Sequence, residues 1–256
     1  MRRIIMVSLL TMENALKQAY LEVFRSRVAN SRPLLTLANN TKGTNNVYGK
    51  NVILLDSEGK SHKYPLKDFR VKIQLSDKAL RAAQNSSGAL VNLLNSEVED
   101  AITDASEQLQ KELMQSVLEK HLVVLPMHKY IIADFCIEKD IVAMVVGKKA
   151  KQFMLKKNII DATGEFAGHK CLYSAHTPVV YDSRVAEDEI LFIPTSAIQQ
   201  QELCDWCWLE DENNRILRQV PGKPIYEAYL VKYARILTKS VYFMKLKQEG
   251  EENGKN

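Results

Sequence analysis

The feature that most constrains this chain is the stretch Ser87–Leu118, in which apolar residues recur at every third or fourth position without interruption. This spacing is typical of an amphipathic α-helix with one apolar stripe. At about 1.5 Å per residue the helix would be roughly 48 Å long, longer than a compact domain of this size usually needs. We therefore predict one long helix that is covered along one side. The stripe consists of Leu90, Leu94, Val98, Ile102, Ala105, Leu109, Leu113 and Val117.

The remaining faces of this stretch are mainly acidic, which predicts that they face solvent or a polar neighbour. Steps of four and three residues fit the helical period better than sustained heptads do, so a dimeric coiled coil is the weaker interpretation. The charged positions are Glu97, Glu99, Asp100, Asp104, Glu107, Lys111, Glu112 and Glu119.

A strand and a short helix precede the long helix. Residues 69–75 alternate apolar and polar side chains, which predicts a strand with one buried face. Ser76 is a typical N-cap for a short helix over 77–84, and Asp77 adds an acidic residue where the helix dipole favours it. The expected buried positions of the strand are Phe69, Val71, Ile73 and Leu75.

Residues 47–66 have the pattern of a β-hairpin. β-Forming residues in 47–55 and 61–66 flank a Gly-containing turn at 56–60. Pro65 cannot donate a backbone hydrogen bond, so the second arm is a sheet edge or leaves the sheet near this residue. The arms are too polar to build a core of their own, so the hairpin either extends into solvent or lies on a partner.

The composition is that of a globular protein with one large domain or two closely associated ones, with 256 residues and 46% hydrophobic content. No apolar run approaches a membrane span, and no small-residue cleavage site precedes Glu13, so we expect a cytosolic protein that is not exported. The net charge of +4 is spread along the chain, which argues against specific nucleic-acid recognition. The tail 249–256 lacks apolar residues and is predicted to be disordered or pendant.

The densest basic cluster surrounds a predicted amphipathic helix near 148–157. A solvated helix face is favoured over a phosphate-binding track as its interpretation. The basic residues are Lys148, Lys149, Lys151, Lys156 and Lys157, and the apolar ones are Ala150, Phe153, Met154 and Ile159.

The four cysteines fit reduced cytosolic thiols. Cys204 and Cys207 form a CxxC motif, and the histidines and cysteine of 169–176 could supply the second half of a zinc site. Redox pairs normally lie at a helix start, whereas Glu202 and Asp205 would raise the thiol pKa here. We interpret these residues as ordinary thiols in a strand and predict no metal site and no cofactor.

Linear catalytic signatures are lacking: there is no phosphate-binding loop, nucleophile elbow, zinc-protease motif or paired-aspartate motif. The segment 164–168 is predicted to be a loop. Many active sites have no linear signature, but the sequence favours assembly or binding, and no catalytic residue is assigned. The histidines are scattered over predicted loops and element ends, at His62, His121, His128, His169 and His176.

An amphipathic helix is predicted at 11–29, near the start of the chain. Two interpretations are open: an arm that reaches a neighbouring subunit, or a core helix of its own domain. Its residues at helical spacing are Leu16, Tyr20, Val23, Phe24 and Arg27.

After the long helix, strands and helices follow without the regular alternation of a doubly wound sheet, so the predicted fold class is α+β. A continuous apolar run at 141–146 predicts a buried strand. An apolar segment at 122–126 and a helix or strand at 130–137 precede it, and further strands are predicted at 171–173, 189–193, 204–209, 226–237 and 241–246.

Taken in order, these elements resemble the major capsid proteins of tailed bacteriophages, whose fold is shared by encapsulin shells and herpesvirus capsid floors. The resemblance rests on patterns between about residues 14 and 247, not on invariant motifs. The segments that carry it are 47–50 for the extended loop, 70–80 for the strand and turn before the spine helix, 85–101 for the start of that helix, 145–155 for a strand and helix of the axial domain, 166–174 for a loop and strand, and 226–229 for a closing strand.

This resemblance implies a domain organisation. The expected parts are an N-terminal arm with a helix at 1–43, an extended hairpin loop at 44–68, a peripheral domain with the spine helix at 69–121, an axial domain with a central sheet at 122–220, a return to the peripheral domain at 221–248, and a flexible tail at 249–256.

The function that the resemblance implies is a structural subunit, not an enzyme. Copies would form hexamers and pentamers of an icosahedral head around double-stranded DNA, in the host bacterial cytoplasm, with scaffold and portal proteins and without a membrane. The segment before the extended loop is too short for a scaffolding-like region, so the scaffold would be separate or absent, and we predict no covalent cross-link. The candidate inter-subunit contacts are Tyr48, Lys50, Lys60, Lys63, Tyr64, Tyr20 and Phe24.

Two other functions remain as alternatives. An encapsulin-type protein nanocompartment would share the fold, and an unrecognised cytosolic α+β enzyme would be monomeric with a substrate of its own. A phage tail or baseplate component fits less well, because it would lack the order of hairpin and spine helix.

Overall fold

A computed structural model of the protein describes residues 2–40, 47–48, 50–55, 60–83, 87–119, 121–124, 129–195, 197–238 and 241–246. Residues 56–59 of the predicted hairpin turn lie outside the described part of the chain. So does the predicted tail at 249–256. The helices are α1 (Arg2–Ala15), α2 (Leu21–Ala29), α3 (Pro33–Asn40), α4 (Asp77–Ala83), α5 (Ser87–Leu118), α6 (Lys129–Glu138) and α7 (Lys148–Lys156), with a π-helical turn at Leu16–Tyr20. The strands are β1 (Val47–Tyr48), β2 (Asn51–Leu55), β3 (Ser61–Pro65), β4 (Lys67–Ser76), β5 (His121–Val124), β6 (Ile141–Val146), β7 (Ala162–Phe166), β8 (His169–Ser174), β9 (Thr177–Tyr181), β10 (Glu189–Pro194), β11 (Ile198–Trp208), β12 (Arg218–Gln219), β13 (Ile225–Thr238) and β14 (Val241–Lys245).

The long helix α5 has the predicted bounds, and its stripe is buried from Leu94 onward, with Leu90 partly exposed. The predicted solvation of its other faces holds for Asp100, Asp104 and Glu107, which are exposed. Glu112 is only 4% exposed and is therefore not solvated. The cause is a wider buried face in the last turns, where Gln110, Met114 and Ser116 are buried as well.

The chain divides into two compact units, and both are discontinuous in sequence. The first unit comprises residues 1–35, 42–110 and 201–235, and the second comprises 36–41, 111–200 and 236–256. The sequence predicts an axial domain at 122–220 and a return to the peripheral domain at 221–248. In the structure residues 201–220 belong to the first unit, and β14 belongs to the second.

In the first unit β13 pairs with β4 along the full length of β4, from Ile225 opposite Ser76 to Ala234 opposite Lys67. β11 and β12 also pair with β13, which gives a four-stranded sheet. The apolar residues of β4 are buried and alternate with exposed polar ones, as the period-2 pattern predicted. Ser76 then caps α4, because its Oγ accepts a hydrogen bond from the Ala79 N–H at 3.1 Å.

The hairpin of the first unit is a separate three-stranded sheet in the order β1-β2-β3. β2 pairs antiparallel with β1 and with β3. Both predicted arms are therefore present, with the first arm folded into two short strands. Pro65 ends β3, the edge strand, as its missing N–H predicted.

In the second unit a seven-stranded sheet has the order β5-β14-β10-β6-β9-β8-β7. β14 runs parallel to β5, and β6 runs parallel to β9. The predicted strand β6 is buried over almost its entire length. Helices α6 and α7 contribute Ile132 and Met154 to the core of this sheet. The Phe135 ring packs edge-on against Phe192, with 5.3 Å between ring centroids.

Strands β7 and β9 are absent from the predicted elements. The interpretation of 164–168 as a loop is wrong for Gly164 to Phe166, which belong to β7 and pair with β8. Only Ala167 and Gly168 form the turn, with φ of 52° and 78°. Two residues with positive φ match the twist of the adjoining strands, so a pair that includes an alanine closes this hairpin.

Candidate assembly surfaces

The hairpin presents exposed cationic side chains. Lys50, Lys60 and Lys63 are exposed, and Tyr64 is half-buried. The side chain of Tyr48 lies outside the described part of the chain. Val52 of β2 is fully buried, so one side of the hairpin sheet is covered while the lysines remain in solvent.

Side chains of α5 occupy the outer edge of β4. The Gln108 amide donates to the Arg70 carbonyl at 2.9 Å and accepts from the Arg70 N–H at 3.3 Å. The Glu97 carboxylate accepts from the Gln74 N–H at 3.2 Å. A Gln amide that pairs with both backbone groups of one residue replaces a neighbouring strand. The helix therefore closes an edge that would otherwise attract another chain.

The edge strand β7 of the second unit carries a cap of its own. The Tyr173 hydroxyl donates to the Glu165 carbonyl at 2.7 Å. This contact requires a residue without a side chain at position 164, because a Cβ there would lie 2.9 Å from the Tyr173 ring. Gly164 therefore marks a close approach of side chain to backbone in a strand.

The N-terminal helical segment belongs to the core of the first unit. The Phe24 ring is 1% exposed and packs edge-on against Trp206, with 5.4 Å between centroids. The prediction that Phe24 contacts a neighbouring subunit is therefore wrong, because its own unit covers it. Tyr20 is half-buried and its hydroxyl donates to Asn95 Oδ1 at 2.8 Å; burial raises the pKa of this phenol.

Two further contacts fix the same helical segment. Arg27 forms a two-pronged ion pair with the Glu99 carboxylate of α5. Glu13 is 6% exposed and accepts the Ile216 N–H at 2.7 Å. Of the two interpretations left open for this helix, the core helix accounts for its buried face.

A nearly buried ion triplet lies within the four-stranded sheet. Lys232 of β13 is 3% exposed, and its Nζ lies 2.5 Å from Glu202 Oε2 and 2.7 Å from Asp205 Oδ1 of β11. The charges compensate one another where desolvation would penalise a lone ammonium. The sequence contained no signal for this triplet beyond the abundance of charged residues.

Lys148, Lys149 and Lys156 of α7 are exposed and Lys151 is half-buried. Ala150 and Met154 are fully buried. Lys149 pairs with Glu187 at 2.7 Å. This hydrogen-bonded ion pair raises the pKa of Lys149 and lowers the pKa of Glu187. The Lys151 ammonium lies 5.6 Å from the centre of the Tyr181 ring.

Both cysteines of the CxxC motif lie in β11, as predicted. Burial raises the pKa of the Cys207 thiol, and the neighbouring Cys204 and Asp205 raise it further, which disfavours a reactive thiolate. His169 and Cys171 lie on β8 in the second unit. Within the described residues no cluster of three or more His, Cys, Asp or Glu side chains could hold a metal ion.

None of the described helices has the length and apolar character to span a membrane. No protein-family model matches the chain, and no curated protein sequence matches it. Solved structures do match, and they define the class: the chain has the fold of tailed-bacteriophage major capsid proteins, which encapsulin shells share.

Three of these structures are similar over most of their length. The putative capsid protein of a prophage of E. coli CFT073 has a TM-score of 0.55 at 9% identity, over 91% of this chain and 99% of that one. The capsid of an empty GTA particle has a TM-score of 0.53 at 11% identity, over 83% and 90%. The SrpI encapsulin of Synechococcus elongatus PCC 7942 has a TM-score of 0.51 at 10% identity, over 83% and 87%.

Proposed function

We propose that this chain is the structural subunit of an icosahedral head, in which many copies enclose the double-stranded DNA of a tailed bacteriophage. The observation that carries the proposal is the fold, which matches a prophage capsid protein along 91% of this chain. The arrangement of hairpin, long helix and seven-stranded sheet follows the order expected of such a subunit.

The hairpin is the proposed contact with neighbouring copies. Its sheet has exposed cationic residues, and an edge strand can bind a partner through its backbone. We assign contacts to Tyr48, Lys50, Lys60, Lys63 and Tyr64, and a further contact to Tyr20. In the same proposal the first unit is the peripheral domain and the second unit is the axial domain.

The proposed assembly consists of hexamers and pentamers of this chain. Scaffold and portal proteins are the expected further partners, assembly takes place in the host bacterial cytoplasm, and the subunit has no catalytic role. Packaged DNA would be held by unspecific contacts, which weaken as salt rises because bound counterions are no longer released as favourably. The exposed lysines of α7 are one source of such contacts.

An encapsulin-type nanocompartment is the second candidate function. The observation in its favour is the similarity to the SrpI encapsulin, at a TM-score of 0.51. The two functions differ in what the shell encloses: a phage head takes up DNA, whereas a nanocompartment encloses a protein cargo. Nuclease-protected DNA in particles isolated from producing cells would support the phage head, and a co-purifying enzyme would support the compartment.

The first test is electron microscopy of the purified recombinant chain together with mass determination by light scattering. Closed shells, partial shells, or free hexamers and pentamers support the proposed function. A monomer or dimer at every salt and protein concentration contradicts it and favours the enzyme alternative. Deletion of residues 45–63 should leave a soluble subunit that forms no closed shells; normal particles from that variant would contradict the role of the hairpin.

A further inference from the structure

The ion triplet of the four-stranded sheet brings an amine into contact with two carboxylates. Lys232 Nζ lies 2.7 Å from Asp205 Oδ1 and 2.5 Å from Glu202 Oε2. One carboxylate balances the charge of one ammonium, so the triplet contains a carboxylate in excess of what charge balance requires. The strands that hold the three residues, β11 and β13, belong to the same sheet. The groups are therefore positioned by rigid elements and not by loops.

The Lys232 side chain lies on the buried side of β13. Alternate residues of a strand share one face, and the nearest ones on the face of Lys232, Leu230 and Ala234, are 1% and 0% exposed. The Lys232 side chain itself is 3% exposed, whereas that of Asp205 is 35% exposed. The nitrogen therefore meets the carboxyl group where it has little contact with solvent, and the open side of Asp205 gives a released water molecule a way out.

The Asp205 carboxyl group is oriented by the backbone. Its Oδ1 accepts the Trp206 N–H at 2.8 Å in addition to its contact with Lys232. A backbone N–H at this oxygen stabilises the negative charge that develops there when a nucleophile attacks the carboxyl carbon. The carbon is one bond away from Oδ1, so the Lys232 nitrogen is close to the separation of roughly 3–3.5 Å from which a bond can form.

We propose that Lys232 and Asp205 condense to an amide bond within one chain, with Glu202 as the proton relay. The Nζ–Cγ bond forms, and one Cγ–O bond of Asp205 breaks. Two of the ammonium protons leave with that oxygen as water. They pass through the Glu202 carboxylate, which ends the reaction ionised, as it began. The reaction needs no oxidant or other co-reactant, and it is independent of any contact between copies of the chain.

The amide bond would change how the first unit responds to conditions that break ion pairs. It would join β11 to β13 between residues that are 27 positions apart in sequence. A link that closes such a loop restricts the unfolded chain and so stabilises the folded one. An ion pair weakens at high salt or low pH, whereas an amide bond persists. The linked strands would therefore stay joined under both conditions.

Intact-mass spectrometry of the full-length protein, purified in its folded state and then denatured, tests the proposal. The mass should be lower than that of the sequence by one water, and proteolysis should release a branched peptide that joins Lys232 to Asp205. An unchanged mass would overturn the proposal. Loss of water without the branched peptide would also overturn it, because a succinimide at Asp205 has the same mass. A branch at Glu202 would overturn the assigned roles of the two carboxylates.

Glu202→Gln tests the proton relay, because the amide side chain keeps its size but cannot take up a proton in the same way. Linkage should be about a hundredfold slower than in wild type, measured as the linked fraction over time after synthesis is stopped. Glu212→Gln, at an exposed position in the same unit, is the matched control and should link at the wild-type rate. Equal rates in Glu202→Gln and wild type would overturn the relay. If Glu202→Gln does not fold, the wild-type branched peptide still decides whether the amide bond forms.

Discussion

Strands β4 and β3 lie at the edges of two sheets in the same unit, and their outward backbone groups differ in what they contact. In β4, both backbone groups of Arg70 and the N–H of Gln74 form hydrogen bonds with side chains of α5. In β3, the outward backbone groups of Ser61 and Lys63 have no strand partner among the described residues. The edge inside the subunit body is closed by its own chain, while the open edge lies in the segment proposed to reach a neighbour. Edge capping therefore helps to distinguish internal from external surfaces in this fold.

The largest effect is expected from removing both negative charges of the ion triplet that joins β11 to β13. Replacing Glu202 by Gln and Asp205 by Asn leaves the nearly buried Lys232 ammonium without a counter-charge. The free energy of unfolding should fall by about 3 kcal/mol, as measured by urea denaturation. Glu212→Gln, at an exposed position in the same unit, is the control. A loss below about 1 kcal/mol would mean that solvent compensates Lys232.

Opening the β4 edge should have the next largest effect and would make β4 resemble β3. The double substitution Glu97→Ala and Gln108→Ala removes three hydrogen bonds to backbone groups and should cost about 2 kcal/mol. The exposed edge should also cause concentration-dependent association, detectable by light scattering. Asp104→Ala, at an exposed position on the same helix, should do neither. Unchanged scattering by the double variant would show that a bare edge is insufficient for association.

A smaller effect is expected at β7, the edge strand of the seven-stranded sheet. Gly164→Ala places a Cβ 2.9 Å from the Tyr173 ring, so the ring must move and its hydrogen bond to Glu165 is lost. We expect a loss of about 1 kcal/mol in unfolding free energy. Tyr173→Phe removes the hydroxyl without a clash and should cost less. If the phenylalanine variant loses more than the alanine variant, steric contact is not what Gly164 avoids.

The smallest effect concerns pH and the exposed face of the β4–β13 pair. The hydrogen bond from the Tyr229 hydroxyl is the main cause that lowers the pKa of the Glu227 carboxyl below its ordinary value. Lys72 lowers this pKa further, by a smaller amount. A lowered folded-state pKa adds stability above the unfolded-state pKa, and this stability is lost as pH falls through the folded-state value. Glu227→Gln should therefore flatten the decline of the unfolding midpoint between pH 5 and pH 3, relative to wild type. Parallel declines would show that Glu227 makes no contribution.

The elements that could be predicted from sequence are those whose signal is local. The bounds of α5 follow from an uninterrupted stripe, and the buried face of β4 follows from strict alternation. Ser76 was identifiable as a cap because its partner Ala79 is three residues away. The α+β class and the resemblance to capsid subunits follow from the order of such elements, and the fold comparison confirms them.

The remaining features depend on residues far apart in the chain. Gln108 lies 38 residues from its partner Arg70, so its role as a strand substitute has no local pattern. Phe24 is on a predictable apolar face, but periodicity does not tell whether the same chain or a neighbour covers it. Strands β7 and β9 have no clear sequence signal, because Gly164 and Pro178, which resemble strand breakers, lie inside them.

The route of the chain between the two units has a consequence for synthesis. The boundary between units falls inside α3, α5, β11 and β13, so neither unit is a continuous segment that a truncated gene could encode. Strand β4 leaves the ribosome long before β13, its partner, which at usual translation rates follows roughly 10 to 30 s later. A nascent chain therefore exposes its hairpin before the four-stranded sheet of the first unit can form. Until β13 is made, the β4 edge that it pairs with has no partner strand, so the four-stranded sheet is completed only near the end of synthesis.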